Sequence, residues 1–321
     1  MIARRSGCGR TRTAACTAVC IDRSLDIVRQ LAYLVQAAGA CLMWGLAALL
    51  PPAWASRTGA ALFGFLGPKV RKQRQVVGNL RVACAGADEA EIQSLARGVW
   101  RNFGAVLFEY PHLGRIYRDG LEVKIAPETQ ALLDAGTPIV VAAAHLANWE
   151  LLGCYLGHTT RNMNGVYGPQ RNPYLDALLQ RFRRASRCRY VPKQDALREF
   201  TRKSLAGGSV GLLLDVRVDT GVSLPLFDVA TPTTISPARM ALRLDYPLVP
   251  ARAKRLGPAR FELELLAPLH AREAGAGKAA AIDLTLQYNA LLESWIRERP
   301  DEWLCTKRRW PKSAMLPAQG A

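Results

Sequence analysis

The sequence is short of acid. Its 321 residues carry 26 Asp and Glu against 43 Lys and Arg, a net charge of +17. Such an excess is drawn to polyanions: nucleic acid, an anionic membrane surface, or a phosphorylated or acidic carrier. Metal-ligand patterns are missing as well. The eight cysteines form no CxxC pair, and Cys16 and Cys20 have no matching Cys or His pair downstream, so no metal site is expected. Scattered thiols of this kind suit a reducing compartment. Cys41 and Cys154 read as packing residues. There is no internal repeat and, apart from an Ala/Gly patch near 274–281, no low-complexity tract. The aromatic and basic motifs of the common nucleic-acid modules are also absent, so nucleic acid is not the expected polyanion. With 50% hydrophobic residues the chain can bury a substantial core, as one large domain or two smaller ones.

Charge is absent altogether from residues 31–50, LAYLVQAAGACLMWGLAALL, where Gln36 is the only strongly polar residue. Twenty such residues match a helix crossing the hydrocarbon core. Arg23 and Arg29 precede the run, Pro51-Pro52 ends it, and Trp44 and Trp54 are candidates for the membrane interface. Two other readings compete. Ala53-Trp54-Ala55 has the look of a signal-peptide cleavage site, and the helix could be a buried core element. Length and lack of charge favour a membrane anchor that spans the bilayer or lies in it. The expected organisation is a mobile basic leader over 1–28, an anchor segment over 29–67, a main domain over 68–312 and a tail over 313–321. Residues 69–81 carry five basic side chains and no acid, which reads as a contact with anionic lipid on the cytoplasmic face or as a solvated helix face.

What is present downstream is an alternation of short apolar strands with helical segments. Residues 90–110 have helical spacing (Ile92, Leu95, Val99, Phe103, Val106, Tyr110). Strands are expected over 122–125, 139–144, 165–167, 189–191, 211–215, 248–253 and 261–265. Helices are expected over 129–135, 149 onward, 174–187, 196–206, 238–244 and 283–299. Residues 220–237, rich in Gly, Pro, Thr and Ser, read as a long functional loop. This alternation predicts an α/β fold with a mixed, mostly parallel sheet flanked by helices, behind an N-terminal membrane-anchoring helix.

The stretch with most chemistry is 137–153, TPIVVAAAHLANWELLG. Its unbroken apolar run predicts a strand buried on both faces, with His145 at the carboxyl end. Asn148 is placed to cap the following helix, with Glu150 in its first turn. Ligands of open α/β sheets bind outside the carboxyl ends of strands. Across the strand-to-helix turn Glu150 could reach back to the imidazole, fixing its tautomer and raising its basicity. The same residues also fit a buried structural histidine and a helix-dipole acid, and local spacing leaves both readings open.

Matches in order along the chain extend this motif. They are Asn79-Leu80 after the apolar segment and basic run, then His145-Leu-Ala-Asn148-Trp149-Glu150. Next come Val166-Tyr167-Gly-Pro-Gln-Arg-Asn172-Pro173-Tyr-Leu-Asp176, a helix bearing Arg183, and Gly211-Leu-Leu-Leu-Asp215. Leu224-Pro225-Leu-Phe227, Ala238-Arg-Met-Ala-Leu, Pro247-Leu-Val-Pro250, Pro300-Asp-Glu-Trp303 and Arg308-Arg309-Trp310 complete the series. In these the chain resembles the lipid A biosynthesis acyltransferases of lipopolysaccharide assembly, over roughly residues 30–312. It departs from the family pattern at Asp215-Val-Arg217-Val-Asp219-Thr-Gly221 and at Phe227-Asp228, where a Gln with a Gly/Pro turn and a Phe-Gly are usual.

The resemblance implies a glycerol-3-phosphate acyltransferase-like fold and transfer of a fatty acyl chain from acyl carrier protein to a hydroxyl of a lipid A precursor. It implies His145 as general base oriented by Glu150, and Arg183 as the cation meeting the oxyanion. Asn148, Tyr167, Asn172, Arg184 and Asp215 are the further substrate-binding candidates, and Asp215 could equally be a structural residue. With no Ser or Cys beside the motif, attack on the thioester is expected to be direct, without an acyl-enzyme. No cofactor is expected beyond acyl-acyl carrier protein as co-substrate. The implied partners are acyl carrier protein, anionic membrane lipid and a phosphorylated glycolipid acceptor. The implied location is the cell inner membrane, catalytic domain on the cytoplasmic face. Alternatives within reach are another acceptor, such as a lyso-ornithine lipid or glycolipid, and a lipid-binding protein that has lost catalysis.

Overall fold

Val140–Ala143 is buried at every residue, which is why the sequence there shows an unbroken apolar run and not an alternation. In the computed structural model it is the central strand of the fold. The structure describes residues 11–196, 199, 207–272 and 277–316, with side chains from residue 27 onward. The helix expected over 196–206 lies almost wholly outside the described residues.

In chain order the helices are α1 (Thr11–Ala48), α2 (Pro52–Leu66), α3 (Gln73–Ala83), α4 (Glu89–Glu109), α5 (Leu113–Asp119), α6 (Pro127–Asp134), α7 (Glu150–Thr159), α8 (Pro173–Arg183), α9 (Ser236–Leu244) and α10 (Lys278–Glu298). The strands are β1 (Leu121–Ile125), β2 (Val140–Ala143), β3 (Asn164–Tyr167), β4 (Arg189–Pro192), β5 (Val210–Leu213), β6 (Val222–Leu226), β7 (Val229–Thr233), β8 (Leu248–Gly257) and β9 (Arg260–Leu265). Seven of them form one sheet in the order β1-β9-β8-β2-β5-β3-β4. Only β8 and β9 pair antiparallel; the other neighbours are parallel. The fold is therefore α/β with a mixed, mostly parallel sheet.

Because β2 is buried on both faces, its side chains belong to two cores. Val140 and Ala142 pack with Tyr288, Leu292 and Trp295 of α10 and with α9. Val141 and Ala143 pack with Leu151 and Leu152 of α7 and with Leu113 and Ile116 of α5. Strand β5 enters late in the chain, between β2 and β3, so strands distant in sequence meet at the centre. Val140 pairs with Val210 and Ala143 with Leu213.

Two local expectations change. Residues 220–237 are mainly not a loop: β6 and β7 form an antiparallel hairpin. Its turn is Phe227-Asp228, both left-handed at φ 50° and 59°. A two-residue hairpin needs this backbone twist, and glycine or asparagine ordinarily announces it. Here neither is present, and Pro225 and Pro232 obscure the strands further. Second, α7 begins at Glu150, and Asn148 does not cap it.

Helix α1 starts at Thr11 and so continues back through part of the basic leader. Within it, residues 27–48 form a stretch long and apolar enough to cross a membrane, and few of its residues are buried. Ile27, Leu31, Leu34, Val35, Leu42 and Leu46 are exposed. The opposite face docks on the domain. Trp44 is buried edge-on against Tyr110 and Phe182, and its indole donates to the Leu107 carbonyl at 2.8 Å. Asn172 is the staple between α1 and α8. Its Oδ1 caps α8 by accepting from the Tyr174 and Leu175 amides, while its Nδ2 donates to the Tyr33 carbonyl and Gln36 Oε1 on α1. Asn172→Ala is expected to cost about 1 kcal/mol for the cap alone. It should also make α1 more readily cleaved in limited proteolysis than in the parent.

Candidate active site

Parallel pairing of β2 with β5 decides the geometry. His145 and Asp215 each lie two residues beyond the paired Ala143 and Leu213, so both emerge at the same carboxyl edge of the sheet. Asp215 Oδ1 receives His145 Nδ1 at 2.8 Å and the His145 amide at 3.2 Å. Its Oδ2 accepts from the Trp303 indole at 2.9 Å. The carboxylate is thus fixed by three donors while His145 keeps a quarter of its side chain exposed. Burial pushes the Asp215 carboxyl up. The His145 charge and hydrogen bonds, helped by Trp303, outweigh burial and hold it below its ordinary value. An ionised Asp215 keeps the proton on Nδ1, so Nε2 presents its lone pair as a base.

Glu150 does not supply the carboxylate for His145. Burial alone would raise its pKa. The Arg183 charge and its hydrogen bonds, with those of Tyr110 and Trp149, overcome this and lower it. Arg183 grips it through Nε at 2.9 Å and Nη2 at 2.6 Å. Tyr110 Oη and the Trp149 indole both donate to Oε1. Arg183, at the last residue of α8, also lies over the Tyr190 and Tyr167 rings. Glu150 and Arg183 are therefore a buried bidentate pair that locks the start of α7 to the end of α8. Two Arg183 nitrogens are committed to it, leaving Nη1 for other work.

Between His145 and α7 the backbone makes a tight reversal, with Ala147 left-handed at φ 46°. A non-glycine residue there stores of order 1–3 kcal/mol and needs outside support. The support comes from the chain end. Leu146 bridges to Trp303, the Ala147 amide donates to the Glu302 carbonyl, and Leu304 donates to the His145 carbonyl at 2.9 Å. Residues 24–312 match the sequence family of bacterial lipid A biosynthesis acyltransferases. The chain belongs to that family. No curated protein matches it.

In this acyltransferase the other candidate residues are dispersed around the reversal. Asn148 is fully buried and donates to Glu109 Oε2 at 2.9 Å, while its Oδ1 has no partner among the described residues. Glu109 also accepts from Ser56 of α2 and from the Arg255 guanidinium on β8, so a buried polar knot holds the His145 reversal. Tyr167 donates to Asp176 at 3.2 Å beneath Arg183. Arg184 is exposed in the turn after α8. Asn172 is engaged with α1, as described above.

Several supporting residues escape a sequence reading of roles. Trp303 is visible there as the last residue of the Pro300-Asp-Glu-Trp303 match and Tyr110 as a helix-stripe residue, neither with a role at the site. Arg309 is buried and bonds Thr231, Pro232 and Thr233, clamping the β6–β7 hairpin to the chain end. Burial brings its pKa down to about 10, against the pull of Asp215. The buried Cys154 and half-buried Cys188 thiols are poor nucleophiles: burial pushes both up to about 12.

Proposed function

We propose that the protein transfers a fatty acyl chain from acyl carrier protein to a hydroxyl of a lipid A precursor by direct attack. The observation that carries this reading is the His145–Asp215–Trp303 chain at the carboxyl edge of the sheet, in a member of this acyltransferase family. His145 Nε2 takes the proton of the acceptor hydroxyl as its oxygen attacks the thioester carbonyl. The tetrahedral intermediate collapses, the C–S bond breaks, and His145 returns the proton to the departing thiolate. Asp215 holds the imidazole in the productive tautomer and offsets the imidazolium charge. Arg183 Nη1, its neighbours fixed by Glu150, is the charge that would meet the developing oxyanion. The raised pKa values of Cys154 and Cys188 support a route without an acyl-enzyme.

The reaction needs no cofactor beyond the acyl donor. An acidic carrier and a phosphorylated glycolipid both suit a chain of charge +17. The apolar stretch 27–48 supports membrane association, and use of a donor carried on a cytosolic protein would put the catalytic domain on the cytoplasmic face of the inner membrane. The deciding assay uses the purified full chain, acyl-acyl carrier protein and lipid A precursor, followed by mass spectrometry. His145→Ala should lose on the order of 10³-fold or more of the transfer rate. Unchanged transfer would overturn the mechanism. Transfer by the parent to a lyso-ornithine lipid but not to the precursor would replace the acceptor and keep the chemistry.

A further inference from the structure

A groove of about 950 Å³ opens where α2 gives way to α3, and the chain end forms its far wall. Lys69, Arg71, Lys72 and Arg74 line one side, Lys307 and Arg308 the other, and no acid lines it. Among the described residues none of these six cations is paired with a carboxylate. Six like charges facing one concavity repel each other, an arrangement stabilised when an anion enters it.

The surroundings of the groove say which kind of anion. α2 turns Ala55, Ser56 and Gly59 into the protein and leaves Trp54, Leu62, Phe65 and Leu66 exposed. This apolar stripe runs straight into the groove. Val70, 44% exposed, lies on the groove wall, and Lys69 Nζ sits 3.6 Å above the Phe65 ring. Apolar side chains beside unpaired cations match the boundary between acyl chains and phosphates at a membrane surface. A free phosphate would have no use for the stripe, and a soluble acidic protein would meet it as exposed hydrocarbon. The far wall is fixed to the active site. Asn79 Nδ2 donates to the Cys305 and Lys307 carbonyls, both at 2.8 Å, and its Oδ1 accepts the Arg309 amide. Leu304, three residues before Lys307, donates to the His145 carbonyl.

We infer that this groove binds the phosphate-bearing headgroup of a membrane lipid and holds it in fixed relation to His145. That the lipid held there is the acyl acceptor rests on the function proposed above. The test uses the full chain in neutral detergent. Soluble dihexanoyl phosphatidic acid is titrated and followed by phosphorus NMR, with dihexanoyl phosphatidylcholine and inorganic phosphate as parallel probes. The groove variant is K69Q/R71Q/K307Q/R308Q. The control variant removes four exposed arginines outside the groove, R118Q/R161Q/R239Q/R243Q.

Each cation near a lipid surface accounts for about five-fold in affinity, so the groove variant, which lacks four, should bind phosphatidic acid about 600-fold more weakly. The control should change it by no more than about five-fold. In the acyl-transfer assay the groove variant should raise the acceptor KM and leave the acyl-carrier KM and kcat near parental values. Equal loss in both variants, or no loss in either, would overturn the inference. Inorganic phosphate binding as tightly as phosphatidic acid would replace the lipid by free phosphate. Intact lipid binding with lost acyl carrier protein binding would make the groove a protein-docking surface. The NMR titration needs no turnover. Groove-dependent lipid binding by a chain that fails to acylate the lipid A precursor would therefore sink only the functional reading.

Discussion

Replacing Asp215 by Asn should lower kcat for acyl transfer on the order of 10²–10⁴-fold, with little change in KM for either substrate. The effect follows from the donors around the carboxylate. Asp215 accepts from His145 Nδ1, the His145 amide and the Trp303 indole, so every neighbouring group is a donor. An amide in this place must turn its NH₂ toward one of them. If it faces the imidazole, Nδ1 becomes the acceptor, the proton moves to Nε2, and the base is lost. If it faces Trp303, two donors oppose each other behind the active site. Either way the imidazolium formed during the reaction has no counter-charge. The fold is expected to survive, because the cost is that of one buried donor left without an acceptor, about 1–3 kcal/mol. A melting temperature within a few degrees of the parent, beside the collapse in kcat, separates a catalytic from a structural role. Trp303→Phe keeps the carboxylate and removes one donor, and should cost about ten-fold. An Asp215→Asn enzyme with parental kcat would remove Asp215 from the mechanism.

The identity of that carboxylate is where sequence reasoning met its limit. The strand before His145 was legible because a strand buried on both faces cannot alternate, and residues 139–144 are uniformly apolar. The position of His145 at a strand end followed from the same patterning; the helix bearing Arg183 was expected over 174–187, and the structure ends it at Arg183. The partner did not, because chain proximity favours Glu150, five residues on, over Asp215, seventy residues away. What selects Asp215 is the insertion of β5 between β2 and β3 and its register, Ala143 opposite Leu213. No local feature of residues 210–215 encodes that neighbour. The two runs do share a form, each an apolar segment closed by a polar side chain two residues past the pairing. That likeness is a usable sign of parallel neighbours meeting at one edge. The β6–β7 hairpin was hidden for a different reason. Its turn places Phe227 beside Asp228 in a left-handed conformation that a bulky aromatic does not advertise, and Arg309 and the chain end hold it there. Long-range clamping replaces the local signal.

Glu150→Gln should destabilise the fold by about 3–5 kcal/mol, more than the loss of one hydrogen bond explains. The Arg183 side chain is 14% exposed, and among the described residues Glu150 alone answers its charge; Tyr167 and Tyr190 contribute ring faces. Removing the carboxylate's charge leaves a largely buried cation without its counter-charge. Removing both charges is a different matter. Glu150→Gln combined with Arg183→Met should recover much of the stability, since replacing a buried pair by apolar contact is often near neutral. It should not recover activity if Arg183 meets the oxyanion, so stability and kcat separate in this variant. The linkage to pH has a definite sign. Glu150 titrates below its ordinary 4.5 when folded, so its stabilisation is complete above about pH 4.5 and is lost as pH falls through the lower, folded-state value. Urea midpoints of the parent and of Glu150→Gln should therefore differ by a constant amount from about pH 8 to about pH 5 and converge on further acidification. A double variant no more stable than Glu150→Gln, or a gap that widens on acidification, would contradict the pairing as the source of the stability. An active and stable double variant would show that the arginine at the end of α8 serves to hold α7 in place and nothing more.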